Sequence, residues 1–404
     1  MANRRRGKFS LPAEFQTQEK ISTKKELALR NTIPSCPAVP SKIKKGSTRG
    51  KSVYLKPRPV FVKKEVKLSQ IYDPSNNMSY LDQVFKREDT LGEGSFGVVF
   101  KAKHKENGQT YAIKKSKPNV HISDRYAEII NNEKVGAHFN IIEYFMSWEE
   151  NSDMYMLMEL GEMSLANFTH LQDNVPEDML WNILMDCCKG LEYLHSKALV
   201  HLDIKPGNIV LKEGYFKLAD FGILVDLKLD KKERRSTLSE GDAKYVALEV
   251  LEGVYTPSCD MFGLGITLLE CAADLALPEC GPLWHQLRHG HLPYEFYARV
   301  SLGFSVLIEH MLSNVYTSRP SATRILKYSC MKDLARRDTK FGRTNYAAAY
   351  LNLRDNNQAY HNRWGVAELE QPLETNNNIE ITREEQMTVE EKPVYFRRIL
   401  FDEK

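Results

Sequence analysis

Four side chains within one short stretch have the types and spacing that phosphoryl transfer demands. The stretch HLDIKPGNIVLKEGYFKLADFG, His201 to Gly222, holds Asp203, Lys205, Asn208 and Asp220. Moving a phosphoryl group from ATP requires a carboxylate near the attacking hydroxyl and oxygen ligands that hold Mg²⁺ against the phosphates. Asp203 suits the first task; Asn208 and Asp220 suit the second. The intervening residues alternate apolar and polar about Glu213-Gly214, which predicts a short hairpin that returns the chain and brings both ends to one site. Polar residues scattered by chance over two loops would not keep this linked order.

The elements that must position these groups begin near Phe85. There TLGEGSFGVVFKAKH and TYAIKKS alternate on either side of Asn107-Gly108, predicting two strands and a tight turn. The first strand opens on Gly92-x-Gly94-x-x-Gly97-x-Val99, so Leu91, Gly92, Glu93, Gly94, Ser95, Phe96, Gly97, Val98 and Val99 are candidates to surround a nucleotide. Glycines let backbone N–H groups reach phosphates unobstructed. A dinucleotide site would need a helix after the glycines, whereas here a strand follows.

With the glycine loop, Tyr111-Ala112-Ile113-Lys114, the His201–Asn208 motif and Asp220-Phe221-Gly222 all in order, the chain resembles eukaryotic protein kinases. The resemblance implies an α+β fold of two lobes, a small β-rich N-lobe over about 81–160 and a helical C-lobe over about 161–332. It further implies that Lys114 contacts the α- and β-phosphates and is held by a helix carboxylate. Glu128 and Glu133 are both candidates; helix phase favours Glu128. Met158 would back the adenine pocket, although an ordinary core role fits it too, and Glu159 to Gly161 would form the hinge. The resemblance also implies that Glu249 pairs with Arg319 and that Asp260 braces the catalytic loop. Leu248 departs from the family's Ala-Pro-Glu pattern.

Composition sets the limits. A chain of 404 residues with 42% hydrophobic and 27% charged residues is long enough for a two-lobed enzyme with tails. The net charge of +3 conceals an uneven distribution, since residues 1–70 carry 18 Lys/Arg against four Asp/Glu. Residues 1–80 therefore read as a disordered basic tail and 333–404 as a polar, mostly disordered one. No aromatic interleaving of the basic residues points to nucleic acid. Seven cysteines without metal spacing, and no secretory signal, fit a reduced intracellular setting, cytoplasmic or nuclear. Residues 177–196 have an amphipathic helical period that makes Cys187 and Cys188 core residues. The longest apolar run, Met261 to Pro278, is broken by Glu270 and Asp274 and reads as a buried helix, not a membrane span.

Finer details resemble the Wee family of Cdk-inhibitory kinases, nearest its membrane-associated tyrosine/threonine branch. The residues that carry this are His201 to Asn208, Asp220-Phe221-Gly222, Glu240 to Tyr245, Leu277-Pro278, Trp284 to Arg288 and Gly290 to Pro293. The resemblance implies a monomeric enzyme whose substrate is a cyclin–Cdk complex, phosphorylated on neighbouring Thr and Tyr of its ATP loop. That branch has a membrane-spanning segment after its kinase domain; this sequence has no apolar run of that length, and its basic N-terminus offers at most peripheral membrane contact. Arg397 to Phe401 resembles a cyclin-docking peptide, with Arg398, Leu400 and Phe401 as its anchors. Lys205, two residues after Asp203, is the serine/threonine-kinase arrangement. A serine/threonine kinase for another substrate is therefore the alternative. A pseudokinase scaffold is disfavoured because Lys114, Asp203, Asn208 and Asp220 are all present.

Most kinases place an arginine before the catalytic aspartate, where it pairs with a phosphate on the activation segment. Leu202 stands here instead, leaving such a phosphate without a cation beside the catalytic loop. Phosphatase treatment of the purified chain should leave its kinase activity unchanged; a large loss in the same assay would contradict the inference.

Overall fold

The computed structural model describes residues 56–61, 66–94, 97–117, 120–171, 175–230, 241–289, 292–343 and Tyr346. The N-terminal lobe is a six-stranded antiparallel sheet, β1 (Arg58–Val60), β2 (Phe85–Glu93), β3 (Gly97–His104), β4 (Thr110–Ser116), β5 (Tyr144–Glu150) and β6 (Asp153–Glu159), in the order β1-β5-β6-β4-β3-β2. A short helix α1 (Tyr80–Val84) leads into it, and α2 (Ile122–Val135) packs on one face. The predicted turn at Asn107-Gly108 joins β3 to β4, with Gly108 at φ 70°, a region glycine enters without penalty.

The C-terminal lobe follows through β7 (Met163–Ser164) and α3 (Leu165–Leu171) to α4 (Glu177–Ser196). Cys187 and Cys188 lie fully buried on α4, as its period requires, and burial pushes both thiols up. Next come β8 (Leu199–Val200), β9 (Ile209–Lys212), β10 (Tyr215–Leu218) and β11 (Val225–Asp226). The helical body is α5 (Leu248–Leu251), α6 (Pro257–Ala273), α7 (Pro282–His289), α8 (Leu302–Met311), α9 (Ala322–Leu326) and α10 (Ser329–Phe341). Helix α6, from the apolar run, is buried along nearly its whole length. Among the described residues no helix is long and apolar enough to cross a membrane.

The small strands position the chemistry. β9 and β10 pair as the predicted hairpin, with Glu213 at φ 51° and Gly214 at φ 81°. β8 and β11 pair at the opposite end, Val200 facing Val225. The loops 201–208 and 219–224 are thus clamped together at both ends, and Ala219 N–H donates to Asn208 O at 2.9 Å between them.

The structure corrects both tail boundaries. β1 lies within the stretch expected to be disordered, yet it pairs with β5, buries Val60 and sets Arg58 2.7 Å from Glu149. Ser69 N–H donates to the Tyr80 hydroxyl at 3.0 Å, and Tyr80 is itself buried. At the other end α10 runs on past Lys332 to Phe341. Arg343 then forks onto the buried Asp186 of α4, pairs with Asp338 at 2.7 Å and stacks 4.5 Å from the Tyr215 ring centroid. These anchors are long-range, so no local period announces them. Residues 1–55 and 347–404 lie outside the described residues.

Asp186 also accepts the Phe216 N–H at 2.9 Å, so Arg343 neutralises a carboxylate on which the β9–β10 hairpin hangs. Removing one partner of a buried pair strands a charge and costs about 3–5 kcal/mol. Arg343→Ala should lower stability by about that amount in urea unfolding, while the double change Arg343→Met with Asp186→Leu should recover much of it.

Candidate functional site

Between the lobes lies a cleft of about 420 Å³. Alternation along the strands decides what faces it. Val99 lies opposite Lys114 in the β3–β4 ladder and both line the cleft, whereas Val98 lies opposite Lys115 and does not. Of the expected residues, Leu91, Gly92, Val99, Lys114, Glu128, Met158, Glu159, Gly161, Asn208 and Asp220 line it. Glu93, Gly94, Gly97 and Val98 do not: Glu93 instead pairs with Lys117 at 2.7 Å, and a Cβ on Gly97 would fall 2.6 Å from Lys115 O. Ser95 and Phe96 lie outside the described residues. Gly92 and Gly94 have open space where a Cβ would project, so packing does not demand glycine there.

Lys114 selects between the two glutamates. Its ammonium lies 2.5 Å from Glu128 and 3.3 Å from both Asp220 oxygens. Glu133 stands half-buried further along α2. Burial would lower the Lys114 amine, but the Asp220 and Glu128 carboxylates overcome it and hold the amine above its ordinary value. Asp220 is correspondingly held low by Lys114 and the Gly222 N–H, against the effect of burial. Glu128 is pushed up by burial more than Lys114 brings it down. α2 is tied to the far lobe as well, through Asn131 to Phe221 O at 2.9 Å and Lys134 to Asp226 at 2.9 Å.

Asp203 and Lys205 sit beside the cleft, reached through Asn208. The Asn208 amide donates to Asp203 O at 2.9 Å and to Asp203 Oδ2 at 2.7 Å. Both N–H bonds are spent there, which leaves the amide oxygen for the cleft. Lys205 lies 3.0 Å from Asp203 Oδ2 and 3.3 Å from Asp242. Burial would lower the Lys205 amine, but the two carboxylates raise it. Asp203 Oδ1, by contrast, is buried without a hydrogen-bond partner. A buried acceptor left open is costly, and a hydroxyl donor would satisfy it. Asp220 offers a carboxylate about one third exposed toward the same space. An acceptor-rich set of this kind fits a hard divalent cation and an incoming hydroxyl.

Backbone geometry holds the loop. Leu202 has φ 64°, a left-handed conformation disfavoured for a branched side chain. Asp260, buried on α6, accepts His201 N–H at 2.9 Å, Leu202 N–H at 2.8 Å and the His195 ring at 2.8 Å, and so supports it. The Glu249–Arg319 pair also forms, bidentate and buried, and Leu248 does not prevent it.

Several cleft residues lay outside the sequence expectation. Asn132 is one turn beyond Glu128 on α2, a position that helix phase indicates. Ala112 shares its strand face with Lys114, and Val210 lies under the Gly161 linker. Asp242, the second partner of Lys205, was visible only as part of a family-like string.

A family model described as a protein kinase domain matches residues 85–331. The chain is 38% identical over 267 residues to a Drosophila melanogaster protein named membrane-associated tyrosine- and threonine-specific cdc2-inhibitory kinase, which covers 65% of this chain and 50% of that one. It is also 38% identical over 260 residues to a Caenorhabditis briggsae protein of the same description, wee-1.3, covering 64% and 39%. To the Schizosaccharomyces pombe mitosis inhibitor protein kinase wee1 it is 35% identical over 229 residues, covering 54% and 26%. The chain thus spans half or less of the length of these relatives.

Lys114→Met would leave Glu128 buried without its cation, a loss of about 3 kcal/mol at neutral pH. A buried carboxylate so stranded has a raised pKa, so as pH falls through that value it takes up a proton and the penalty shrinks. Urea unfolding of the variant and the parent should therefore differ more at pH 7.5 than at pH 5.5 (about two pH units).

Proposed function

The chain belongs to the protein kinase family and is a protein kinase; from that premise we propose that it phosphorylates the neighbouring threonine and tyrosine in the ATP loop of a mitotic cyclin-dependent kinase, restraining entry into mitosis or meiotic division. The observation that carries this reading is the identity of 38% to relatives named cdc2-inhibitory, over some two thirds of this chain.

In this reading ATP occupies the cleft, with Leu91, Val99 and Met158 about the base and the Glu159–Gly161 linker beside it. Lys114, fixed by Glu128, meets the α- and β-phosphates. Asn208 and Asp220 hold Mg²⁺, which neutralises phosphate charge when bound. Asp203 accepts the proton of the substrate hydroxyl through the oxygen left unpartnered in the fold. A new bond forms between that hydroxyl oxygen and the γ-phosphorus, the bond to the bridging oxygen breaks, and ADP leaves. Lys205 steadies the transferred group from its place between Asp203 and Asp242. The enzyme acts inside the cell as a monomer. Its relatives are called membrane-associated, and the basic N-terminal residues supply a means of peripheral contact. The cyclin-docking anchors Arg398, Leu400 and Phe401 lie outside the described residues and complete the proposal as a second contact with the substrate complex.

A serine/threonine kinase for a different substrate is the second reading, favoured by Lys205 at its position beside Asp203. Incubation with a catalytically inactive cyclin–Cdk complex, followed by mapping of the phosphorylated residues, separates the two. Phosphate should appear on the paired loop threonine and tyrosine, and Asp220→Ala should abolish Mg²⁺-dependent transfer altogether. In the same assay Arg398→Ala with Leu400→Ala should weaken retention of the complex while sparing autophosphorylation. Phosphate elsewhere, or only on other proteins, selects the second reading.

A further inference from the structure

One buried cation takes no part in the chemistry described so far. The Arg288 side chain on α7 is 1% exposed, and among the described residues no carboxylate pairs with it. Burial pushes its guanidinium down to about 9. Its hydrogen bonds run to main-chain carbonyls: Nε to Val246 at 2.8 Å, Nη2 to Ala243 at 3.0 Å and to Lys244 at 2.9 Å, and Nη1 to Trp284 at 3.1 Å. Its guanidinium lies 3.6 Å from the centroid of the Trp284 ring, and the Trp284 indole N–H donates to Ala243 O at 2.6 Å. Phe262 on α6 flanks it at 5.6 Å.

Three inward-turned carbonyls in four residues need donors arranged as a fork, which guanidinium provides and an ammonium does not. The residues so held are adjacent to the reacting groups. Asp242, immediately before them, contacts Lys205, which contacts Asp203. Just after them, Glu249 is pinned by Arg319. A Cβ on Gly241 would meet Leu202 O at 3.0 Å, so this stretch lies directly over the loop that lacks a phosphate-binding arginine.

We propose that Arg288, with Trp284, is a positioning residue for the protein substrate: it fixes Ala243–Val246 as a wall beside Asp203 through its backbone carbonyls. The hold comes from α7 through main-chain carbonyls, not from the position that Leu202 occupies. Nucleotide binding, made by the opposite side of the cleft, does not depend on it. The inference rests on the chain being a kinase and not on the identity of its substrate.

The test uses the full chain, the variants Arg288→Lys and Trp284→Phe, and two acceptors, an inactive cyclin–Cdk complex and casein. Loss of one or two charge-assisted hydrogen bonds should raise KM for the acceptor by about tenfold, while KM for ATP and acceptor-independent ATP turnover stay within about twofold. Hydrogen exchange at the amides of 243–246 should accelerate in both variants. Where Arg288→Lys does not fold, Trp284→Phe, which keeps a ring but loses the donor to Ala243, decides. Unchanged exchange in 243–246, or KM for ATP rising in step with that for the acceptor, overturns the proposal. Activity on casein alone would reject the Cdk reading and leave this inference to be judged on casein.

Discussion

The catalytic loop depends on a single buried carboxylate. Asp260 receives the amides of His201 and Leu202 and the ring of His195, and so has no oxygen left without a donor. Without it, Leu202 would have little reason to remain at φ 64°, a conformation that costs about 1–3 kcal/mol for a non-glycine residue. That conformation turns the chain so that Asp203 faces Asn208 and Lys205. Because Asp260 sits on α6, a helix buried along nearly its whole length, the loop inherits the rigidity of the core. His201 extends the same scaffold, its ring reaching Ala219 O at 3.2 Å on the neighbouring loop.

Across the cleft the electrostatics are arranged differently. Lys114 brings two carboxylates from different elements to one ammonium, and both Glu128 and Asp220 would be unfavourable there without it. The triad couples α2 of the N-lobe to the loop after β10. Asn131 and Lys134 on the same helix reinforce that coupling. The placement of the loop that carries Asp220 is thus shared between lobes, whereas that of Asp203 belongs to the C-lobe alone.

Much of this was readable from residue order because it rests on local signals. At Glu213-Gly214 and Asn107-Gly108 the glycines take the positive φ that their residue type permits, 81° and 70°, and both hairpins form. Helix phase distinguished Glu128 from Glu133, since only one of two glutamates five residues apart can face the sheet. The glycine loop was less legible. The glycine spacing named every residue from Leu91 to Val99, but strand alternation turns Val98 away, and a surface lysine captures Glu93. β1 and the end of α10 escaped for another reason. Val60, Arg343 and Tyr346 are held by partners many residues distant, such as the Tyr346 hydroxyl receiving the Asn182 amide at 2.7 Å, and a sequence window shows none of these.

The linker between the lobes has a mechanical corollary. Glu159 lines the cleft, yet its carboxylate is gripped by Lys212 at 2.9 Å and Lys217 at 2.9 Å, both on the β9–β10 hairpin. Two residues on, a Cβ at Gly161 would fall 2.0 Å from Val210 Cγ1, and Glu162 N–H donates to Leu211 O at 2.8 Å. Glu159 is therefore held from both sides: its backbone closes β6 opposite Tyr111 of β4, while its carboxylate and the residues on to Glu162 are tied to the lower body that carries Asn208. Any rocking of the upper sheet has its fulcrum at Glu159 itself, so the cleft edge from Leu160 to Glu162 stays in register with Asn208 as the sheet tilts.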